Sequence, residues 1–165
     1  RCRYDTLFQI TQSYYTVQGS NAYNVAGVVD NTDSIESPIH VAGDWIKIVT
    51  GEKFTIALRA DNSLWGWGEG YNIFDPLIND IQRLVTPTLI SNERNWCDIA
   101  AGDEHFVAVK KLNDRYRVIG RGGNSSLQIG TSFDETGEYI LEETALTKPQ
   151  PIIKAAGKNL SLIHI

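Results

Sequence analysis

The sequence predicts an all-β fold, a partial β-propeller of repeated four-stranded antiparallel blades. Three observations lead there: a glycine period near 50 residues, short strand-like segments that are apolar on both faces, and turn residues between them. Gly51, Gly102 and Gly157 recur roughly every 50 residues, each closing an equivalent stretch: WIKIVTG from Trp45, WCDIAAG from Trp96 and PIIKAAG from Pro151. The first two continue in step as EKFTIALRADNSLWGWG and DEHFVAVKKLNDRYRVIGRG, while the third stops at KNLSLIHI. A partial N-terminal copy, YDTLFQI and SYYTVQG, ends in Gly19 at the place that Gly68 and Gly122 hold later. Repeats drawn on this period cover approximately 1–37, 38–86, 87–148 and 149–165, so that 1–165 reads as one partial propeller and as a segment of a longer chain.

Within each repeat the elements follow in a fixed order. FTIAL, HFVAV and LSLIHI are short, rich in β-branched or aromatic residues, and bounded by Gly, Asp and Asn, which marks strands. On the first, Phe54, Ile56 and Leu58 share one face, and Thr55 and Ala57 the other. The matching copy puts Phe106 and Ala108 on that second face, so each sheet is expected to be covered on both sides. Gly51, Gly102 and Gly157 stand before pairs of polar residues where a tight turn needs a positive φ or a close backbone approach. Asp61-Asn62-Ser63 and Asn113-Asp114-Arg115 mark the next hairpin.

At this point the residues resemble a known family. Trp-x-x-Ile-x-x-Gly, a strand, a turn and then Gly-x-Gly is similar to the repeat of the regulator of chromosome condensation family, whose members form propellers. His105 stands where that family often has His; Phe54 and Leu160 replace it in the other copies. The family's Gly-x-Asn with a following Gly is matched by Gly19-Ser20-Asn21 with Gly27 and by Gly122-Gly123-Asn124 with Gly130. Pro38, Pro87 and Pro149 match a proline that tends to precede each repeat. The middle copy departs: Gly68 is kept, the Asn is lost, and Tyr71, Asn72, Ile73, Phe74, Asp75 and Pro76 follow. The resemblance implies a fold across the whole chain, and functions that range over exchange factors, ligase accessory domains, inhibitors and surface proteins.

Composition narrows the classes. The chain has 165 residues, 42% hydrophobic and 21% charged, with a formal net charge of −5, which argues against a surface built to neutralise phosphates and hence against nucleic acid. No run approaches the length of apolar sequence that spans a bilayer, so no membrane insertion is expected. Cys2 and Cys97 allow one disulfide at most, show no metal-ligand spacing, and read more simply as two reduced thiols. The compartment stays open.

Motifs that carry chemistry are missing. There is no GxxxxGK[ST], HExxH, GxSxG or EF-hand loop, and Gly66-Trp67-Gly68-Glu69-Gly70 continues a strand pattern where a dinucleotide loop would open a helix. His40, His105 and His164 are scattered and read as core or rim residues. The tract Asp134-Glu135-Thr136-Gly137-Glu138, with Glu142-Glu143 beyond it, reads as a solvated loop of like charge in preference to a cation site. No catalytic, cofactor-binding or metal-binding residue is assigned, and no enzyme is expected.

What remains are aromatic residues and loops. Trp45 and Trp96 occupy equivalent positions and are expected in the core. Trp65 and Trp67 share one strand face, their counterparts are Ile119 and Arg121, and a site that tolerates a charge places Trp67 near the surface. The loop from Tyr71 to Ile78 is apolar beyond what a connection requires: it either folds over its own blade or is offered to a partner. The reading adopted is a non-enzymatic propeller scaffold for macromolecular recognition, with Tyr71, Ile73 and Phe74 meeting a protein partner or neighbouring subunit. The structural positions are Gly19, Gly51, Gly68, Gly102, Gly122 and Gly157. A structural or adhesive component of a larger assembly, such as a virion or surface fibre, is the rival, and an exchange regulator of a small GTPase the third reading. Fewer than four blades do not close a ring, so further repeats are expected in the same chain or in neighbouring chains.

Overall fold

In a computed structural model, residues 7–10, 14–29, 33–78, 80–125, 127, 129–130, 132–135, 137–145, 152–156 and 161–164 are described. Cys2, Pro149, Gly157 and Leu160 lie outside them. The described residues form four antiparallel sheets in succession. The first, ordered β1-β2-β3, is built from β1 (Leu7–Ile10), β2 (Tyr14–Ser20) and β3 (Ser34–Ala42). The second runs in chain order through β4 (Trp45–Thr50), β5 (Phe54–Arg59), β6 (Leu64–Tyr71) and β7 (Ile81–Ser91). In the third, β8 (Trp96–Ala101), β9 (His105–Lys111) and β10 (Arg115–Gly122) are followed by β11 (Ser132–Phe133) and β12 (Tyr139–Ala145), with β12 pairing β10 and β11 outermost. β13 (Ile152–Ala156) and β14 (Ser161–His164) pair in a fourth sheet, and β13 lies against β8 and β9. Among the described residues the only helical turn is Ala22–Asn24, and no helix is long and apolar enough to cross a membrane.

The sheets stack as blades because their strands bury both faces. Phe54, Ile56 and Leu58 look toward the third sheet, where they pack with Trp96, Ile99, Phe106, Ala108 and Ile119. Ala57 and Trp67 look the other way and pack with Tyr15, Val17, Ala26, Ile35 and Trp45. The third sheet repeats the arrangement, with Val107, Val109 and Val118 buried on its far face. Apolar area removed from water on both sides of β5 and β9 holds the stack together. Polar links cross the same junction: Lys47 pairs with Asp98 at 2.6 Å, and the Glu52 amide donates to the Asp103 carbonyl at 2.8 Å.

Equivalent residues occupy equivalent register. Trp45 lies opposite Arg59 and Trp96 opposite Lys110, each at a bulge, each buried, and each with that cation over its ring, at 4.9 and 5.1 Å. Gly19, Gly68 and Gly122 all take positive φ, 108°, 99° and 107°, in the second halves of β2, β6 and β10. A Cβ at Gly68 would also strike the Lys53 carbonyl, and one at Gly122 would come within 2.6 Å of the Glu104 carbonyl, so these positions demand glycine twice over. Gly51 needs glycine only for space, since its φ is ordinary and the Phe54 ring lies against it. Pro38 and Pro87 fall inside the edge strands β3 and β7, at offsets in pairing with β2 and β6 where no ladder N–H is required. The sheet breaks therefore come a few residues after repeat borders drawn at these prolines.

Candidate functional site

The loop that follows each positive-φ glycine shapes the surface between blades. In the first and third sheets an asparagine organises it. The Asn21 Oδ1 accepts from the Ala26 amide at 3.2 Å, and the Asn124 Oδ1 from the Ile129 amide at 3.0 Å, with the Asn124 side-chain amide donating to the Gly130 carbonyl at 2.7 Å. The middle sheet has no such asparagine, and Gln82 of β7 substitutes for it: its Oε1 accepts from the amides of Phe74 and Asp75 at 3.2 and 2.9 Å. The same turn is held from the opposite strand, which no motif search along the loop itself would find.

This anchoring turns two of the three candidate partner residues inward. Ile73 is 1% exposed and Phe74 4%, both in the core between the second and third sheets. Phe74 sits over Gly66, where a Cβ would come within 2.8 Å of its ring, as Ile129 sits over Gly120. Ile73 reaches the next blade and lies against Gly122, and the Phe74 carbonyl accepts from Arg121 Nη1 at 3.1 Å. The expectation that Ile73 and Phe74 meet a partner is therefore corrected: they seal the junction of their own blades, because glycines beneath them leave room that only a large apolar side chain fills. Tyr71, 46% exposed, remains at the surface, opposite Ile81, 62% exposed.

Two further expectations change. Trp67 is fully buried: its indole Nε1 donates to the Val25 carbonyl at 2.7 Å and its ring stacks on Tyr15 at 5.6 Å. Burial pushes the Tyr15 hydroxyl well above the ordinary tyrosine value, and that hydroxyl donates to the Ala26 carbonyl at 2.9 Å. Arg121, at the place equivalent to Trp67, is also buried and pairs with Glu138 through Nε at 3.0 Å and through Nη2. A charge in one copy thus marked a buried ion pair, not a surface.

Within the acidic tract, Asp134, Glu138 and Glu143 are ion-paired, while Glu135 is exposed. Glu138 pairs with Lys110 at 3.1 Å as well as with Arg121, Asp134 with Arg117 at 3.3 Å, and Glu143 with Arg115 and Arg117 at 2.8 and 2.6 Å. Those two guanidinium groups hold the Glu143 carboxyl below its usual range. No group of three or more His, Cys, Asp or Glu side chains is placed to hold a metal among the described residues. His40 meets Tyr14 edge-on at 4.7 Å, and His105 is buried, with desolvation pulling its imidazole below the ordinary value. Cys97 is a free thiol raised by burial.

A groove of about 480 Å3 opens at the junction of the second and third sheets. Its floor is Phe54 and Ile73, its apolar edge Tyr71 and Ile81, and its rim the two hairpin turns carrying Glu52, Lys53, Asp103 and Glu104, with Glu69 beside them. Backbone bonds fix that rim: the amide of Glu69 donates to the Lys53 carbonyl at 2.7 Å, and that of Gly123 to the Glu104 carbonyl at 2.8 Å. Sequence reasoning singled out Tyr71 but passed over the rim acids as turn residues. Their signal was an acidic residue within two places of both Gly51 and Gly102.

Residues 45–72 match the model of the Regulator of chromosome condensation (RCC1) repeat. Over that stretch the chain is similar to an RCC1 repeat. Solved structures extend the likeness beyond one copy. Human WBSCR16 superposes at a TM-score of 0.60 with 16% identity, over 88% of this chain and 39% of that one. Yeast RCC1 (Prp20), in its structure with Kap60 bound, gives 0.59 with 18% identity over 95% and 41%. Prp20p from Saccharomyces cerevisiae, described with its binding properties to Gsp1p and histones, gives 0.55 with 18% identity over 95% and 42%. At such identities the likeness shows the fold alone: the sheets are arranged as the propeller blades of these structures are, and the chain spans about two fifths of the length of the structures it matches. No curated protein matches the sequence.

Proposed function

We propose that this chain is part of a non-enzymatic propeller that recognises a protein, and that the groove between the second and third sheets is where the partner sits. The observation that carries the reading is the combination of exposed Tyr71 and Ile81 with a floor held rigid by the packing of Ile73 and Phe74. A partner-binding surface gains most when aromatic and aliphatic anchors meet a pocket already in its bound shape, because little conformational entropy is lost on contact. Stiff blades with unequal loops supply that shape. The similar yeast propeller has Kap60 bound in one structure and is described with Gsp1p and histones in another, which supports protein recognition as the task of such a scaffold.

The test is a photo-crosslinking side chain placed at Tyr71 and, separately, at exposed Glu36 on β3, in the protein as it occurs in its source. Discrete protein adducts from position 71 and none from position 36 are expected. Equal adducts at both, or adducts only between copies of the chain, would replace the reading, the latter with an assembly component.

A further inference from the structure

Charge separates this groove from the rest of the molecule. Around the 134–143 segment, Asp134, Glu138 and Glu143 each have a guanidinium or ammonium within 3.3 Å. Around the groove, Glu52, Glu69, Asp103 and Glu104 have no cation within 4 Å among the described residues. The nearby cations are engaged elsewhere: the Lys53 ammonium lies 4.8 Å from the centre of the Tyr23 ring, and the Arg83 guanidinium donates to the Asn24 Oδ1 at 2.8 Å. Four carboxylates thus converge on an opening whose floor is apolar, at the junction of two rigid hairpins. Such a rim repels an acidic segment and lowers the free energy of one that brings positive charge, while the floor rewards an apolar side chain next to it.

Resting on the protein-recognition reading above, we infer that the groove takes a basic segment of a protein partner, in which lysine or arginine side chains reach the Glu52, Asp103 and Glu104 rim and an aliphatic side chain enters between Tyr71 and Ile81. The polar outline also explains the spacing: acids stand on both hairpins, so an extended segment crossing the junction meets one from each blade.

The probe is a fluorescein-labelled ten-residue peptide alternating lysine with leucine, compared with versions carrying serine or glutamate in place of lysine. Fluorescence anisotropy is read against the wild-type chain, D103N/E104Q, Y71A/I81A and the distant control E36Q. Saturable binding of the lysine peptide is expected, weaker on the order of tenfold in D103N/E104Q, unchanged in E36Q, and falling with added salt. Melting temperatures are followed in parallel, so that a loss of binding without a loss of fold is attributable to the groove. Serine and lysine peptides binding alike, with both weakened by Y71A/I81A, would overturn the basic class and leave the groove reading standing. Binding of the lysine peptide indifferent to both groove pairs, or no saturable binding of any peptide, would overturn the inference and the groove together.

Discussion

The first three strands of the second and third sheets pair in the same way, and the sheets differ in chemistry at matched points. Where β6 places Trp67 against Tyr15, β10 places Arg121 against Glu138; where Asn124 holds the loop after β10, Gln82 holds the loop after β6. In the third sheet Asp134, Glu138 and Glu143 pair with Arg115, Arg117, Arg121 and Lys110 of the same sheet, while the acids of the two hairpin turns facing the groove stay outside any ion pair among the described residues. The difference teaches that a repeat preserves positions and angles, and that a carboxylate's availability depends on what the neighbouring strand offers it.

The largest effects are expected where each solution is broken. Trp67→Ala empties a fully buried site and should cost about 3–5 kcal/mol in chemical denaturation. Glu138→Ala leaves buried Arg121 without its carboxylate, while Lys110 keeps Glu93 at 2.9 Å, and should cost about 3–5 kcal/mol, whereas replacing Arg121 and Glu138 together by Met should cost much less. By contrast D103N/E104Q, at exposed positions, should shift stability by no more than about 0.5 kcal/mol. Equal losses at Glu138 and at the rim would erase the distinction between spent and available acids.

The loop anchors come next. Gln82→Ala leaves the Phe74 and Asp75 amides without their acceptor and should cost about 1–3 kcal/mol, with faster hydrogen exchange confined to that loop. Asn124→Ala should do the same for Ile129. Unchanged exchange at Phe74 and Asp75 would mean that the inward packing alone holds the loop.

How much of this was legible beforehand depends on the kind of interaction. The blade order, the buried tryptophans at 45 and 96, and the glycines at 19, 68 and 122 follow from periodicity and backbone sterics, which leave direct marks in one copy after another. The inward turn of Ile73 and Phe74 did not show, because its cause lies in Gln82 on another strand and in glycines at 66 and 122 that act only once the sheets are stacked. The burial of Trp67 was hidden by Arg121, whose partner Glu138 stands in an acidic tract that composition alone reads as solvated. The groove is legible only as a product of two hairpins from different repeats.

A smaller effect separates His105 from its counterpart Phe54. Burial holds the imidazole below its ordinary value of 6.5, so the folded chain binds the proton less well than the unfolded one. Stability should be fully present above that value and decline as pH falls through the lowered one. His105→Phe, which installs the residue of the neighbouring repeat, should flatten that part of the stability profile; an unchanged slope would assign it to other groups.

The most direct measurement is a chemical-shift map of the isotopically labelled chain during titration with the lysine–leucine peptide. The amides of Glu52, Tyr71, Asp103 and Glu104 should move together and saturate at one affinity, while those of Asp134, Glu138 and Glu143, whose carboxylates are already paired, stay in place. Movement centred on 134–143, with the groove silent, would contradict the account.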